Sequence, residues 1–398
     1  MTTAEARHID VRSGVATSIW PTPAQLQLLR AALWSGPDAT AAWTEWQRIE
    51  NLRELDYSSW CLLPLVWRNL TSQGVREDEV LAECRGYYRY HWARSQQQLR
   101  QAAGWVADWQ ARGVPVLVLK GAALAAGTYG DAGVRPMSDV DLLVPLAQVR
   151  TVAGWLRAGG WQAQAHYLAC EEVAPEAEPA FNWQRGTEQL DLHWHVLHRC
   201  TRPEVTQQFW DRARPLQLGG VATRQLAAED MLLHLCSHGM QFSTQPPFRW
   251  LADVAWILRR AEGSGFDWTR VAEMAGRTGA TLALQHGLAY GAEELRLPVP
   301  GEVLARWRAR RVSRRERWDY ARLIRPDGGG RWIRAWHLAR LTWRIGGSGP
   351  LPSRWRRMHR FLCARWESPT LGRAVALAVR KALTGHRGTE LRRMEEAP

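Results

Sequence analysis

The sequence predicts an α+β fold: a small mixed sheet in the middle of the chain, with helical regions on both sides. Three observations carry that expectation. Short apolar, β-branched runs and period-two alternation are confined to the stretch from Val114 to Leu218. Apolar residues at helical spacing fill the chain before and after it. The last quarter changes character again, interleaving Arg with Trp and broken into segments by Gly clusters. At 398 residues the chain has room for two or three domains. The boundaries that follow are a helical region over 1–112, a core over 113–226, a helical domain packing on the core over 227–300 and a basic tail over 301–398.

Residues 1 to about 20 lack periodicity and read as a poorly ordered arm. Pro23–Trp34, Ala39–Glu50 and Ser59–Leu70 have helical spacing, and Arg76–Gln110 reads as one long helix ended by Gly113. This region concentrates no chemistry and reads as scaffold. Val114–Leu119 is a buried strand, Ala122–Ala126 a short helix, Val140–Val144 a second strand, and Leu146–Arg157 a helix stopped by Gly159-Gly160. Trp161–His166 and Phe181–Trp183 read as strands separated by an acidic, Pro-containing loop. Gln189–His195 alternates, with Leu190, Leu192 and Trp194 on one face and Asp191, His193 and His195 on the other. Pro215–Leu218 reads as an edge strand. Helices then follow over Glu229–Met240, Phe248–Arg260, Asp267–Arg277 and Ala280–Leu295.

Composition sets the setting. A hydrophobic fraction of 46% supports a sizeable core. The N-terminus lacks the basic and apolar regions of a signal peptide, and no run reaches the length of a spanning helix. The six cysteines are scattered without a C-x-x-C pair, as ordinary reduced thiols are. Together these point to the cytoplasm. The net charge of +13 is uneven: residues 301–398 hold 24 Arg and Lys against 8 Asp and Glu. Nucleic acid or an anionic surface would meet the protein there, through Arg on phosphates and Trp on bases, or through a lipid-facing helix around Trp332 to Trp343. The plain alternative is a solvated Arg face over packed Trp. Only two of the 52 basic residues are lysines, Lys120 and Lys381.

The chemistry concentrates in VPVLVLKGAALAAGTYGDAGVRPMSDVDLLVP, from Val114 to Pro145. Asp139 and Asp141 are two apart at the mouth of a strand, so both face one side. Two buried carboxylates that close need a cation, and a divalent metal supplies it. Asp191, on a strand whose other face is apolar, is the third acid if the two strands are neighbours. It can then hold a second metal and take the proton from an attacking hydroxyl. Gly121 ends a strand and opens a helix, which presents backbone N–H groups to a phosphate. Lys120 and Arg135 would neutralise triphosphate charge, and His193 orients Asp191 or contacts a phosphate. No Gly-Lys-Ser/Thr supports a P-loop, and no placed G-x-G-x-x-G supports a dinucleotide site. His193, His195 and His198 invite a zinc reading, as do His234 and His238, but no Glu follows His234 as a zincin requires.

These residues resemble the uncharacterised nucleotidyltransferase family of the DNA polymerase beta superfamily. The resemblance covers roughly Val114 to Arg260, and its specific part is the R-P-M-x-D-x-D-L-L element followed by QLDLHWH. It implies a small mixed-sheet nucleotidyltransferase core, with Gly121 as the helix-opening glycine, Asp139 and Asp141 as the metal pair and Asp191 as the third acid. It also implies an NTP co-substrate, Mg²⁺ or Mn²⁺, and a bacterial-type enzyme that moves a nucleoside monophosphate to a hydroxyl on a peptide or protein, an RNA or a small molecule. The chain departs from the superfamily at Lys120-Gly121-Ala122-Ala123, where Gly-Ser is usual, so no hydroxyl is available to grip a phosphate. Two alternatives stay open at this point: a non-catalytic nucleic-acid-binding protein on a degenerate core, and a phosphotransferase that moves the γ-phosphate.

Overall fold

The chain opens with α1 (Pro23–Leu33), α2 (Pro37–Ile49), α3 (Tyr57–Trp60), α4 (Leu63–Ser72) and α5 (Glu79–Ala111). The computed structural model describes residues 19–163, 179–241, 248–263, 265–324, 350–365 and 368–384. Local chemistry fixes the helix starts. Thr22 and Gln25 form a capping box at α1, with Pro23 pre-setting the first turn. The Asp78 carboxylate accepts the Leu81 N–H at 2.7 Å and opens the 33-residue α5. Gly113, at φ +82°, turns the chain out of it. The expected N-terminal arm ends earlier than predicted: Ile19 and Trp20 are buried, and the Trp20 ring stacks on Tyr290 at 4.3 Å between centroids.

The sheet contains β1 (Leu117–Val118), β2 (Val140–Leu143), β3 (Gln162–Ala163), β4 (Ala180–Arg185), β5 (Glu188–His193), β6 (Arg214–Leu218) and β7 (Val221–Gln225). Between them lie α6 (Lys120–Ala123), which runs into a π-helical turn over Leu124–Tyr129, then α7 (Val149–Ala158) and α8 (Pro203–Arg212). Strand order is β3-β4-β5-β2-β1-β7-β6. The sheet is mixed: β2 runs parallel to β5 and β1 to β7, whereas β1–β2, β3–β4, β4–β5 and β6–β7 are antiparallel. The α+β class is therefore as the sequence implies.

Several details differ from expectation. Pro215 does lie in an edge strand, but its partner β7 was not foreseen, because Val221–Gln225 reads as polar and short. Nor was α8, whose sequence PEVTQQFWDR buries only Val205, Thr206 and Phe209. The Gln189–His195 strand stops at His193, because the N–H groups of Trp194 and His195 both turn to the Pro179 carbonyl, at 3.0 and 3.2 Å. Of the Trp161–His166 strand, Gln162 and Ala163 join the sheet and Trp161 is buried just before them; residues 164–166, with most of the acidic loop, lie outside the described residues.

After the sheet come α9 (Ala228–Gly239), α10 (Arg249–Ala261), α11 (Trp268–Thr278), α12 (Thr281–Leu295), α13 (Gly301–Ala309), α14 (Arg314–Leu323), α15 (Leu351–Arg365) and α16 (Leu371–Thr384). One apolar cluster joins these helices to α1–α5 and the sheet. Polar ties reinforce it: Arg30 pairs with Glu294 at 3.0 Å, Trp34 Nε1 donates to the Leu295 carbonyl at 3.2 Å, and Arg259 donates to the Leu33 carbonyl at 2.5 Å. The segment around Trp332 to Trp343 lies outside the described residues. Among the described residues no helix is long and apolar enough to cross a membrane.

Candidate active site

The site arises from two alternating strands held in phase. On β2, Val140 and Leu142 pack into the core, which sends Asp141 to the opposite face. On β5, Leu190 and Leu192 are fully buried, and Asp191 and His193 take the opposite face. The parallel register sets Asp141 beside Asp191 and Leu143 beside His193. A slip of one residue would bury the acids among the leucines, so the apolar pattern itself fixes the acid pair.

One carboxylate oxygen gathers the rest. Asp141 Oδ1 receives the Lys120 ammonium at 2.6 Å and faces His193 Nε2 at 3.0 Å. The ligand atoms of Asp141, Asp191 and His193 lie within 4.8 Å of one another, a donor set of two carboxylates and an imidazole that suits a divalent ion. The amide of Asn182, opposite Asp191 on β4, donates to Asp191 Oδ1. His193 Nδ1 is buried and has no partner among the described residues. Asp139 stands outside this trio. Strand pairing begins at Val140, and the Asp139 carboxylate accepts the Ser138 hydroxyl at 2.9 Å instead.

The electrostatics separate the three acids. Burial pushes Asp141 up, but the Lys120 charge and the His193 hydrogen bond outweigh it and hold the carboxyl well below the usual carboxylate range. Asp191 has no such cation on it: burial, then repulsion by Asp141, push it up to about 6. Asp139 is raised by burial and by Asp141. Burial works against the Lys120 charge, yet Asp141 overcomes it and keeps the ammonium protonated.

The turn carrying Lys120 and Gly121 is tightly built. Lys120 adopts φ +34°, a left-handed conformation that a side-chain-bearing residue enters at a cost of roughly 1 to 3 kcal/mol. A Cβ on Gly121 would lie 3.0 Å from Arg135 Nη1 and 3.3 Å from Met137 Cγ, so any larger residue there would have to push these side chains back by a few tenths of an ångström. Arg135, read from sequence as a triphosphate contact, is placed behind this turn. Its Nε and Nη2 each bond Asp253 of α10 at 2.8 Å, and the Tyr129 hydroxyl donates to the same carboxylate at 2.9 Å. A buried guanidinium needs a carboxylate, and α10 supplies one. Only Nη1 is left on the Gly121 side.

Sequence reasoning missed the groups that hold the loop. Arg249 donates to the Pro136 carbonyl at 2.6 Å. Gln98 of α5 reaches the Ser138 carbonyl at 3.4 Å, and Tyr88 donates to Asp131 at 3.1 Å. Gly133 lies so close to Tyr88 that an added Cβ would stand 2.5 Å from its ring. The helical region read as scaffold therefore cradles the loop that carries the candidate site. One signal was available: Asp253 is an acid in a helix buried on nearly every side.

The remaining histidines separate. His195 Nδ1 bonds the Thr206 hydroxyl at 2.7 Å, away from the trio. His198 lies 6.2 Å from His193 between ring centroids, and His238 6.0 Å from His198. Burial lowers His198 to about 3, so it is neutral. His198, His234 and His238 line a cavity of about 30 Å³, room for a water. Among the described residues the Asp141–Asp191–His193 trio is the one group of three with metal-ligand spacing, and the zinc reading finds no second. A cavity of about 690 Å³ opens elsewhere, against Val116, Pro145, Trp194, Trp210 and Arg224.

Comparison with known proteins adds the family. The model of the uncharacterised nucleotidyltransferase family matches residues 61–296. No curated protein matches the chain. Similar solved structures include the solution structure of the antibiotic-resistance factor ANT(2'')-Ia, at 16% identity and a TM-score of 0.33, covering 49% of this chain and 99% of that one. The crystal structure of ANT(2'')-Ia with adenylyl-2''-tobramycin matches at 16% identity and a TM-score of 0.28, covering 54% and 98%. With more than half of its length matched by that model, the chain belongs to the uncharacterised nucleotidyltransferase family and is an enzyme of the nucleotidyltransferase class.

Proposed function

We propose that the enzyme moves a nucleoside monophosphate from an NTP to a hydroxyl acceptor, releasing pyrophosphate, with Mg²⁺ or Mn²⁺ as its metal. The observation that carries this reading is the in-register pairing of Asp141 with Asp191 beside His193. A divalent ion held by these groups supplies Lewis-acid stabilisation of the charge on the transferring phosphoryl group. Asp141 is the permanently ionised ligand. Asp139, at the strand mouth, is the third carboxylate on the nucleotide side.

Asp191 accepts the proton of the attacking hydroxyl. Before the ion binds, burial and then repulsion by Asp141 push its carboxyl up to about 6, so it is ionised at neutral pH. Lys120 sets positive charge against the phosphates, and Gly121 lets them approach the backbone. His193 holds Asp141 and faces the phosphates from β5. Arg135 shapes the turn from behind through Asp253. The core over 113–226 carries the chemistry, and 1–112 and 227–300 brace it. The basic quarter over 301–398 supports an anionic partner, nucleic acid or an anionic surface, and the reaction belongs to the cytoplasm.

The test is incubation of the full chain with labelled NTPs, Mg²⁺ and peptide, RNA and small-molecule acceptors, beside an Asp139→Ala/Asp141→Ala control. Pyrophosphate release with label on an acceptor is expected from the wild type alone. NDP release would mean γ-phosphate transfer, and equal signals in both proteins would end the metal-dependent reading.

A further inference from the structure

Lys120 stands where a second cation belongs. Two divalent ions in a phosphoryl-transfer centre sit roughly 3.5 to 4 Å apart and share a carboxylate between them. Asp141 is the carboxylate placed to be shared, between Asp139 just before its own strand and Asp191 on the next. Its Oδ1 already carries the Lys120 ammonium at 2.6 Å and faces His193 Nε2 at 3.0 Å.

We infer that the Lys120 ammonium takes the place of one of the two divalent ions, so that the centre holds one ion per chain. The inference rests on the metal-dependent reading above and deepens it. Three observations support it. The trio of Asp141, Asp191 and His193 is one ion's set of ligands, one of them uncharged, and Asp139 stands outside it. The formal charges of Asp139, Asp141 and Asp191 are balanced by one lysine and one divalent ion, and a second ion would leave this enclosed site positive before nucleotide arrives.

The third observation is the build of the turn. Lys120 holds φ +34°, with its side chain largely enclosed and its ammonium aimed at Asp141. In a chain with 50 arginines and two lysines, this position takes the compact ammonium, which presents a single point charge to one oxygen. A planar guanidinium would bridge both oxygens and close the carboxylate to a metal.

Electron paramagnetic resonance with Mn²⁺ as the probe tests the count. The full chain is titrated alone and with a non-hydrolysable ATP analogue, keeping protein in excess over nucleotide. One bound Mn²⁺ per chain is expected in both titrations, with the spectrum of an isolated ion. In Lys120→Met a second Mn²⁺ is expected with nucleotide, giving a spin-coupled pair. A coupled pair in the wild type would overturn the inference, since the lysine would then swing aside for a second ion. So would a Lys120→Met protein that still takes one ion. Lys120→Gln serves if the Met variant does not fold, and the wild-type count is decisive by itself. No bound Mn²⁺ in any protein would overturn the metal-dependent reading, a separate result from a wrong count.

Discussion

At the scale of single residues, an acid buried among acids destabilises the metal-free protein. The folded state raises Asp191 from the ordinary carboxylate range to about 6, first by burial and then by Asp141. The folded chain therefore binds that proton more tightly than the unfolded chain does. The stability this brings is fully present below the ordinary carboxylate range and is lost as pH rises through about 6. Without divalent ions, Tm should fall between pH 4.5 and 7. Asp191→Asn should flatten that fall and raise stability at pH 7 by on the order of 2 kcal/mol, read from thermal melts. A wild-type Tm independent of pH across that window would contradict the assignment. The same proton competes with metal, so apparent Mn²⁺ affinity should weaken on acidification through about pH 6, and Asp191→Asn should lose that dependence. Gly121→Ala should lower nucleotide affinity with a small loss of stability, because Arg135 Nη1 and Met137 must give by only a few tenths of an ångström. The acids were legible in sequence because residue type and two-residue spacing are what the chemistry needs. The separation of Asp139 from the trio was not, because whether strand pairing starts at 139 or 140 depends on a neighbouring strand fifty residues away.

At the scale of elements, α10 governs the loop that carries the site. Asp253 holds Arg135 through two bonds of 2.8 Å, and Arg249 holds the Pro136 carbonyl. Asp253→Ala should strand a buried guanidinium and cost about 3 to 5 kcal/mol, measured by denaturant titration. Asp253→Asn should cost less, because the amide oxygen still accepts. Pairing Asp253→Leu with Arg135→Met should restore much of the stability while leaving the Gly121 turn unsupported, so nucleotide affinity should stay low. A double variant with wild-type nucleotide affinity would show that the clamp does not position the turn. The strands of the site were readable from alternation, as in QLDLHW, whose apolar face is fully buried. Their order was not: β7 sits between β1 and β6 through backbone pairing that its polar residues do not announce. Helix α8 escaped for the opposite reason, since it buries only three residues and its pattern is correspondingly faint.

At the scale of the whole molecule, charge and chemistry are separated along the chain. The carboxylate centre lies in a part of near-neutral balance, and the positive excess lies beyond Gly301. Exposed Arg314, Arg317, Arg356 and Arg373 lie on α14, α15 and α16. Replacing all four with Ser should weaken single-stranded RNA binding and reduce the salt slope by about 0.7 per lost phosphate contact, with Mn²⁺ binding unchanged. An unaltered slope would assign those arginines to solvation alone. The charge asymmetry was plain from composition, whereas the bracing of the Asp131–Ser138 loop by α5 was not, because Tyr88 and Gln98 belong to a helix whose spacing explains them as surface. In the proposed centre β2 and β5 bring Asp141 and Asp191 together around a divalent ion. The most direct measurement is anomalous diffraction from a crystal soaked with Mn²⁺ and a non-hydrolysable NTP. A manganese peak is expected within about 2.5 Å of carboxylate oxygens of both Asp141 and Asp191; a peak bound elsewhere, with Asp191 out of reach of it, would rule that centre out.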